Sequence, residues 1–136
     1  MRRIVFASII FGYAAMGSAT AVRAGQNPCP GALPRPGMTF GGTVQAVLDG
    51  DTICVSEKPY FKNWVKTRLA DFNAPELDRP GGGAAQAALQ DIAKGKQVVC
   101  VAGGRSFDRV VARCTIVKKS LGAFMREAGI EQGGDR

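Results

Sequence analysis

The chain has 136 residues, with 18 Lys or Arg, 11 Asp or Glu and no His, for a net charge of +7. That length holds one domain. Without histidine no Ser-His-Asp or Cys-His nucleophile can be built, and Cys29, Cys54, Cys100 and Cys114 form no Cys-x-x-Cys pair that would suggest zinc, which leaves a carboxylate as the candidate general base.

Arg2 and Arg3 precede an apolar run from Ile4 to Met16, and Val22-Arg23-Ala24 offers a cleavage site. This predicts a signal peptide over residues 1–24 and a secreted or periplasmic protein, with cleavage after Ala19 or Ala21 also open. The alternative is a membrane anchor. However, Ser8, Gly12 and Tyr13 interrupt a run already short of the roughly 20 apolar residues of a span. No membrane association is expected after cleavage, and a monomer is expected. Cleavage leaves 15 basic and 11 acidic residues and a net charge of +4, a mild excess that suits a polyanion such as nucleic acid. An even number of cysteines in an exported chain predicts disulfides.

Residues 25–40 carry Pro28, Pro30, Pro34 and Pro36 with Gly31 and Gly37, and read as an extended leader to a domain over residues 41–136. Thr43 to Leu48 and Thr52 to Val55 read as strands joined at Asp49-Gly50, a hairpin signal. Trp64 to Leu69 reads as a third strand, with Val65, Thr67 and Leu69 on one side and Trp64, Lys66 and Arg68 on the other. Asn73-Ala74-Pro75 must leave regular structure. Ala84 to Lys94 reads as a helix with an apolar stripe of Ala85, Ala88, Leu89, Ile92 and Ala93, stopped by Gly95.

Gln97 to Ala102 reads as a strand, Gly103 to Asp108 as a loop, and Arg109 to Val117 as the last strand. Cys100 and Cys114 fall near the middles of these two successive strands, so antiparallel pairing predicts a Cys100–Cys114 disulfide and leaves Cys29 with Cys54. Ser120 caps a short helix with Leu121, Phe124, Met125 and Ala128 on one face, ended by Gly129. Pattern alone gives a small, mainly β, α+β domain.

The chemistry-bearing residues lie in three ordered pieces. Asp49-Gly50-Asp51-Thr52 forms a turn that can aim the Asp51 carboxylate. Arg68 follows 17 residues after Asp51 and opens Arg-Leu-Ala-Asp-Phe-Asn-Ala-Pro-Glu, ending at Glu76. Phe107-Asp108-Arg109-Val110-Val111-Ala112 brings a second arginine. A carboxylate can hold a hard cation, a second can activate water, and arginines can bind phosphate bidentately and offset developing charge.

The order and spacing of these pieces resemble the staphylococcal nuclease (thermonuclease-like) family from about Thr43 to Ile130. The resemblance implies an OB-type five-stranded barrel with two short helices. It implies an exported nuclease that hydrolyses phosphodiester bonds of DNA or RNA with little sequence preference and uses Ca²⁺. On the matching positions, Asp51, Asn73 and the backbone carbonyl of Ala74 would hold calcium. Glu76 would direct water, and Arg68 and Arg109 would bind phosphate. Asn73 departs from the family's aspartate, Ala74 from its common threonine, and Phe107-Asp108 from its usual Tyr-Gly, which leaves Arg105 and Arg113 as rivals to Arg109. The family's last helix has no counterpart in residues 129–136. The departure at Asn73 keeps a second reading open, a nucleic-acid- or anion-binding OB module without strong catalysis.

Overall fold

The computed structural model describes residues 27–133, so the proposed leader peptide 1–24 lies outside the described residues. The elements are β1 (Thr39–Asp49), β2 (Thr52–Ser56), a 3-10 turn (Phe61–Asn63), β3 (Val65–Leu69), α1 (Gly82–Ala93), β4 (Gln97–Ser106), β5 (Arg109–Ile116), β6 (Lys119–Ser120) and α2 (Leu121–Glu127). The sheet runs β3-β2-β1-β4-β5-β6, and a parallel pairing of β3 with β5 closes the first five strands into a barrel. The architecture is α+β and mainly β, consistent with the OB-type barrel expected.

β1 is long because it serves two partners. Its first half pairs with β4, from Thr39 opposite Val101 to Thr43 opposite Gln97. Its second half pairs with β2, with bulges at Val44/Ala46 and Val47/Asp49. Bulges bend a strand, as closing a small barrel requires. Gly42 sits where β1 changes partner, at φ 132°, and a Cβ there would stand 2.4 Å from the Ser56 backbone. Only glycine fits that approach.

The core is the alternating inner face of the strands closed by the two helices. Val44, Val47, Ile53, Val55, Leu69, Val98, Ala112 and Cys114 face Leu89, Ala85, Leu121 and Met125. In α1 the stripe is as expected, with Ala85, Leu89 and Ala93 buried and Ala88 and Ile92 packed against the core. In α2, Leu121 and Met125 are buried and Phe124 partly so, whereas Ala128 lies past the last turn and is exposed. Ser120 caps α2 by accepting from the Ala123 N–H at 3.0 Å.

Cys100 pairs opposite Cys114 in the β4–β5 ladder and bonds to it, as the strand positions predicted, and Cys29 bonds to Cys54. The second disulfide pins the Pro-rich leader, whose Pro30 bridges to Val65 and whose Gly31 N–H donates to Trp64 O at 2.8 Å. Three expectations need correcting. β1 starts at Thr39, inside the segment read as leader, and the last strand stops at Ile116, with Val117 and Lys118 in a turn before β6. Gly103 to Ser106, read as loop, continue β4, with a register shift between Ala102 and Arg105 that accommodates the two glycines.

Candidate functional site

The turn between β1 and β2 is Gly50-Asp51, flanked by the pair Asp49 and Thr52. A Cβ on Gly50 would stand 2.6 Å from both Ala74 Cβ and Ala85 Cβ, so the turn packs directly under α1 and the segment after β3. The Asp51 N–H donates to Asp49 Oδ1 at 3.0 Å, which tightens the turn. The Asp51 carboxylate is thereby turned inward and is only 6% exposed.

Around that carboxylate the chain assembles three direct partners and a fourth behind one of them. The Ala74 N–H donates to Asp51 Oδ2 at 2.8 Å, and Arg68 Nη2 lies 3.3 Å from the same oxygen. The Thr52 hydroxyl donates to Asp51 Oδ1 at 3.3 Å, and Arg109 Nη1 donates to the Thr52 hydroxyl at 3.3 Å. Two arginines from different strands therefore flank one buried carboxylate, one directly and one through Thr52. Barrel closure sets this up: Arg68 stands opposite Val111 across β3–β5, two residues past Arg109.

Burial, and then the neighbouring Asp49 charge, push the Asp51 pKa up to about 6, against the Ala74 N–H and Arg68, which pull it down. Arg68 leaves part of that charge uncompensated, because its guanidinium is shared. It also donates to Leu69 O, to Phe72 O at 3.0 Å and to Asn73 Oδ1 at 2.7 Å. Arg109 is steadied by Ser106, through Nη2 to the hydroxyl at 3.2 Å. Of its rivals, Arg105 is exposed with no contact to this cluster, and Arg113 points toward Asp71 at 4.0 Å.

Asn73 uses both ends of its amide. While Oδ1 accepts from Arg68, Nδ2 donates to Gly133 O at 2.7 Å. The Asn73 N–H donates to Gln132 Oε1 at 3.0 Å, and the Gly133 N–H to Asn73 O at 2.8 Å. A Cβ on Gly133 would lie 2.9 Å from Pro75 Cα. The segment after α2 thus latches onto the loop that carries the candidate site residues. An aspartate could not donate to Gly133 O, which gives position 73 a structural reason to be an amide.

Ala74 is buried at the edge of a cleft of about 470 Å³ that also includes Pro75, Glu76 and Arg79. Glu76 is exposed on that cleft, and its carbonyl accepts from the Arg79 N–H at 2.9 Å. Arg68 and Asn73 border a second cleft of about 440 Å³, and Thr52 and Arg109 a third of about 330 Å³. So Asp51, Arg68, Asn73 and Ala74 are joined by direct contacts and Arg109 through Thr52, while Glu76 belongs to the group only by its place two residues past Ala74. Sequence reasoning missed Thr52, Ser106, Gln132 and Gly133. Thr52 was visible in Asp-Gly-Asp-Thr; the other three carry no pattern.

Two of the expected calcium donors are of the right chemical kind. The Asp51 carboxylate and the Asn73 amide oxygen are hard oxygens of the kind calcium takes, but Asn73 Oδ1 is held by Arg68 Nη2 at 2.7 Å, and Ala74 presents its N–H to Asp51. The set is lean: among the described residues no three His, Cys, Asp or Glu side chains gather as a metal cluster. Compared with known proteins, the chain matches no protein-family model and no curated protein.

Proposed function

We propose that this protein is an exported, calcium-dependent nuclease that hydrolyses phosphodiester bonds of DNA or RNA with low sequence specificity. The observation that supports this best is the convergence of Arg68 and Arg109 on the two oxygens of buried Asp51, one directly and one through Thr52. Both disulfides suit an oxidising compartment, and among the described residues no helix is long and apolar enough to cross a membrane.

In this reading Asp51, Asn73 and the Ala74 carbonyl would hold Ca²⁺, which would supply Lewis-acid polarisation of a phosphoryl oxygen. Arg68 and Arg109 present planar forks to phosphate oxygens and offset charge in the transition state. Glu76, exposed on the adjoining cleft, orients water and accepts its proton, a role that typically contributes about 10²–10⁴ in rate.

One observation favours a second reading, a nucleic-acid-binding barrel that cleaves poorly. Arg68 is already engaged by Asp51 Oδ2, Asn73 Oδ1 and two backbone carbonyls, so phosphate must compete with protein acceptors. Digestion of plasmid and single-stranded DNA with calcium and then with chelator separates the two. Calcium-dependent cleavage lost in Glu76→Gln supports the nuclease. Binding without cleavage supports the second reading.

A further inference from the structure

Between Val55 and Leu69 the chain carries Lys58, Lys62, Lys66 and Arg68 against a single acid, Glu57, and it interleaves Tyr60, Phe61 and Trp64 among them. Tyr60 is 63% and Phe61 52% exposed. Phe61 meets Trp64 edge to face with centroids 5.2 Å apart, which fixes the ring, and the 3-10 turn Phe61–Asn63 fixes the backbone beneath it. Among the described residues Lys58 and Lys62 have no ion pair and stand exposed beside the rings.

This loop leads along β3 toward the site, past the leader, whose Pro30 bridges to Val65 and whose Gly31 N–H donates to Trp64 O. Thr67 and Leu69 point into the barrel and are fully buried, so by strand alternation Lys66 and Arg68 share the outer face of β3, 17% and 21% exposed, and half-buried Trp64 precedes them on the same side. Alternate residues on one face of a strand recur about every 6.8 Å, the scale of one phosphate-to-phosphate step of an extended single strand. Lys66 is held at its place by Asp108, 2.9 Å away, which shares its charge and leaves Lys58 and Lys62 as the unshared cations. Exposed rings supply stacking faces for unpaired bases and lysines supply phosphate contacts, a pairing that a duplex with its bases stacked inside cannot use.

We propose that the outer face of β3 and the loop Lys58–Lys62 form a track for single-stranded nucleic acid, leading from Arg68 to a stacking platform at Tyr60 and Phe61. The inference rests on the nucleic-acid reading of the site and narrows its substrate to an unpaired strand of several nucleotides.

The test is binding by the full-length protein in chelator, where no cleavage intervenes. Fluorescence anisotropy of labelled octathymidylate is compared with labelled dithymidylate and with a duplex of the same length. Trp64 is the chain's one tryptophan, so quenching of its emission by unlabelled octathymidylate reports occupancy of the track itself. The octamer should bind at least about fivefold tighter than the dimer and than the duplex. Tyr60→Ala with Phe61→Ala should lose about 5- to 30-fold on the octamer and nothing on the dimer. Lys62→Glu should weaken the octamer without touching the aromatic rings. All are exposed positions, and an unchanged melting temperature verifies that the variants fold.

Octamer binding unchanged in both variants overturns the track, as does equal binding of duplex, or binding to anionic lipid vesicles in place of the octamer. The outcomes also separate this inference from the reading beneath it. Track binding without calcium-dependent cleavage leaves the track standing and removes the nuclease. Cleavage that the loop variants do not alter on long strands removes the track and leaves the nuclease.

Discussion

Asp51 is the residue on which the site turns, and its environment predicts a pH signature. Its folded-state pKa is raised from 3.8 to about 6 by burial and by Asp49. The folded protein therefore holds a proton that the unfolded chain releases, so stability falls as pH rises from about 4 to about 6 and the lost part stays lost above that. Asp51→Asn does not titrate, so the stability difference between parent and variant should move by about 2–3 kcal/mol in the variant's favour across this interval. Denaturant melts in chelator at a series of pH values measure it. A constant difference would mean that Asp51 is not held buried against Asp49. Asn73 gives a second test at this scale. On charge alone, Asn73→Asp adds a carboxylate and should tighten calcium binding. The structure adds an opposing effect, because the aspartate turns an acceptor toward Gly133 O where the amide donated. In chelator the variant should lose about 1–2 kcal/mol, and exchange of the Gly133 amide should quicken, while in calcium the loss should shrink or reverse. Equal stability of parent and variant in chelator would mean that the latch contributes nothing.

At the scale of elements, the β4–β5 hairpin carries the firmest prediction. Cys100 and Cys114 are fully buried, directly opposed and 14 residues apart, so replacing both by alanine should cost about 3 kcal/mol on the chain-entropy model, read from guanidinium melts. A loss well under 1 kcal/mol would show that the hairpin is already ordered in the unfolded chain. This hairpin also marks how far the sequence was legible. The apolar run Gln97 to Ala102 and the run Arg109 to Val117 were legible as two successive strands and hence gave the disulfide, but the period-2 burial of β4 was not legible, because the exposed Val99 and Val101 are as apolar as the buried Val98 and Cys100. Gly103 and Gly104 read as loop because glycine weakens a strand pattern. Here they sit at a register shift that lets β4 run on to Ser106, and it is Ser106 that steadies Arg109. The same limit applied elsewhere. Asp51, Arg68 and Arg109 were legible as charges at chemically suggestive spacings. The carbonyls of Leu69 and Phe72 that hold Arg68 depend on how the chain curls after β3, and the grip of Gln132 and Gly133 on Asn73 joins residues about 60 positions apart. No local pattern carries either.

For the whole molecule, site and barrel are one construction. β3 supplies Arg68 and β5 supplies Arg109, and the two strands meet only because the sheet closes on itself through Thr67, Arg68 and Leu69 opposite Val110, Val111 and Ala112. Leu69 is the residue at which closure and site meet. It is fully buried in the core, its N–H donates to Asp51 O at 2.8 Å, and it directly follows Arg68. Leu69→Ala removes no group of the candidate site and keeps that backbone bond, so its direct cost is lost packing, about 2–5 kcal/mol. A domain of this size has roughly 5–15 kcal/mol in total, so the loss should lower the melting temperature by 10 °C or more. Because Asp51, Arg68 and Arg109 are brought together by closure, activity in Leu69→Ala should remain near the parent's at low temperature and then fall in step with unfolding. Thermal inactivation and the circular-dichroism melt of the variant should coincide, and single-stranded oligonucleotide in chelator should shift both upward together by mass action. Inactivation several degrees below the melt would instead show that the arginines separate while the barrel is still closed, and the site would then be a local feature of its loops and not a consequence of the sheet.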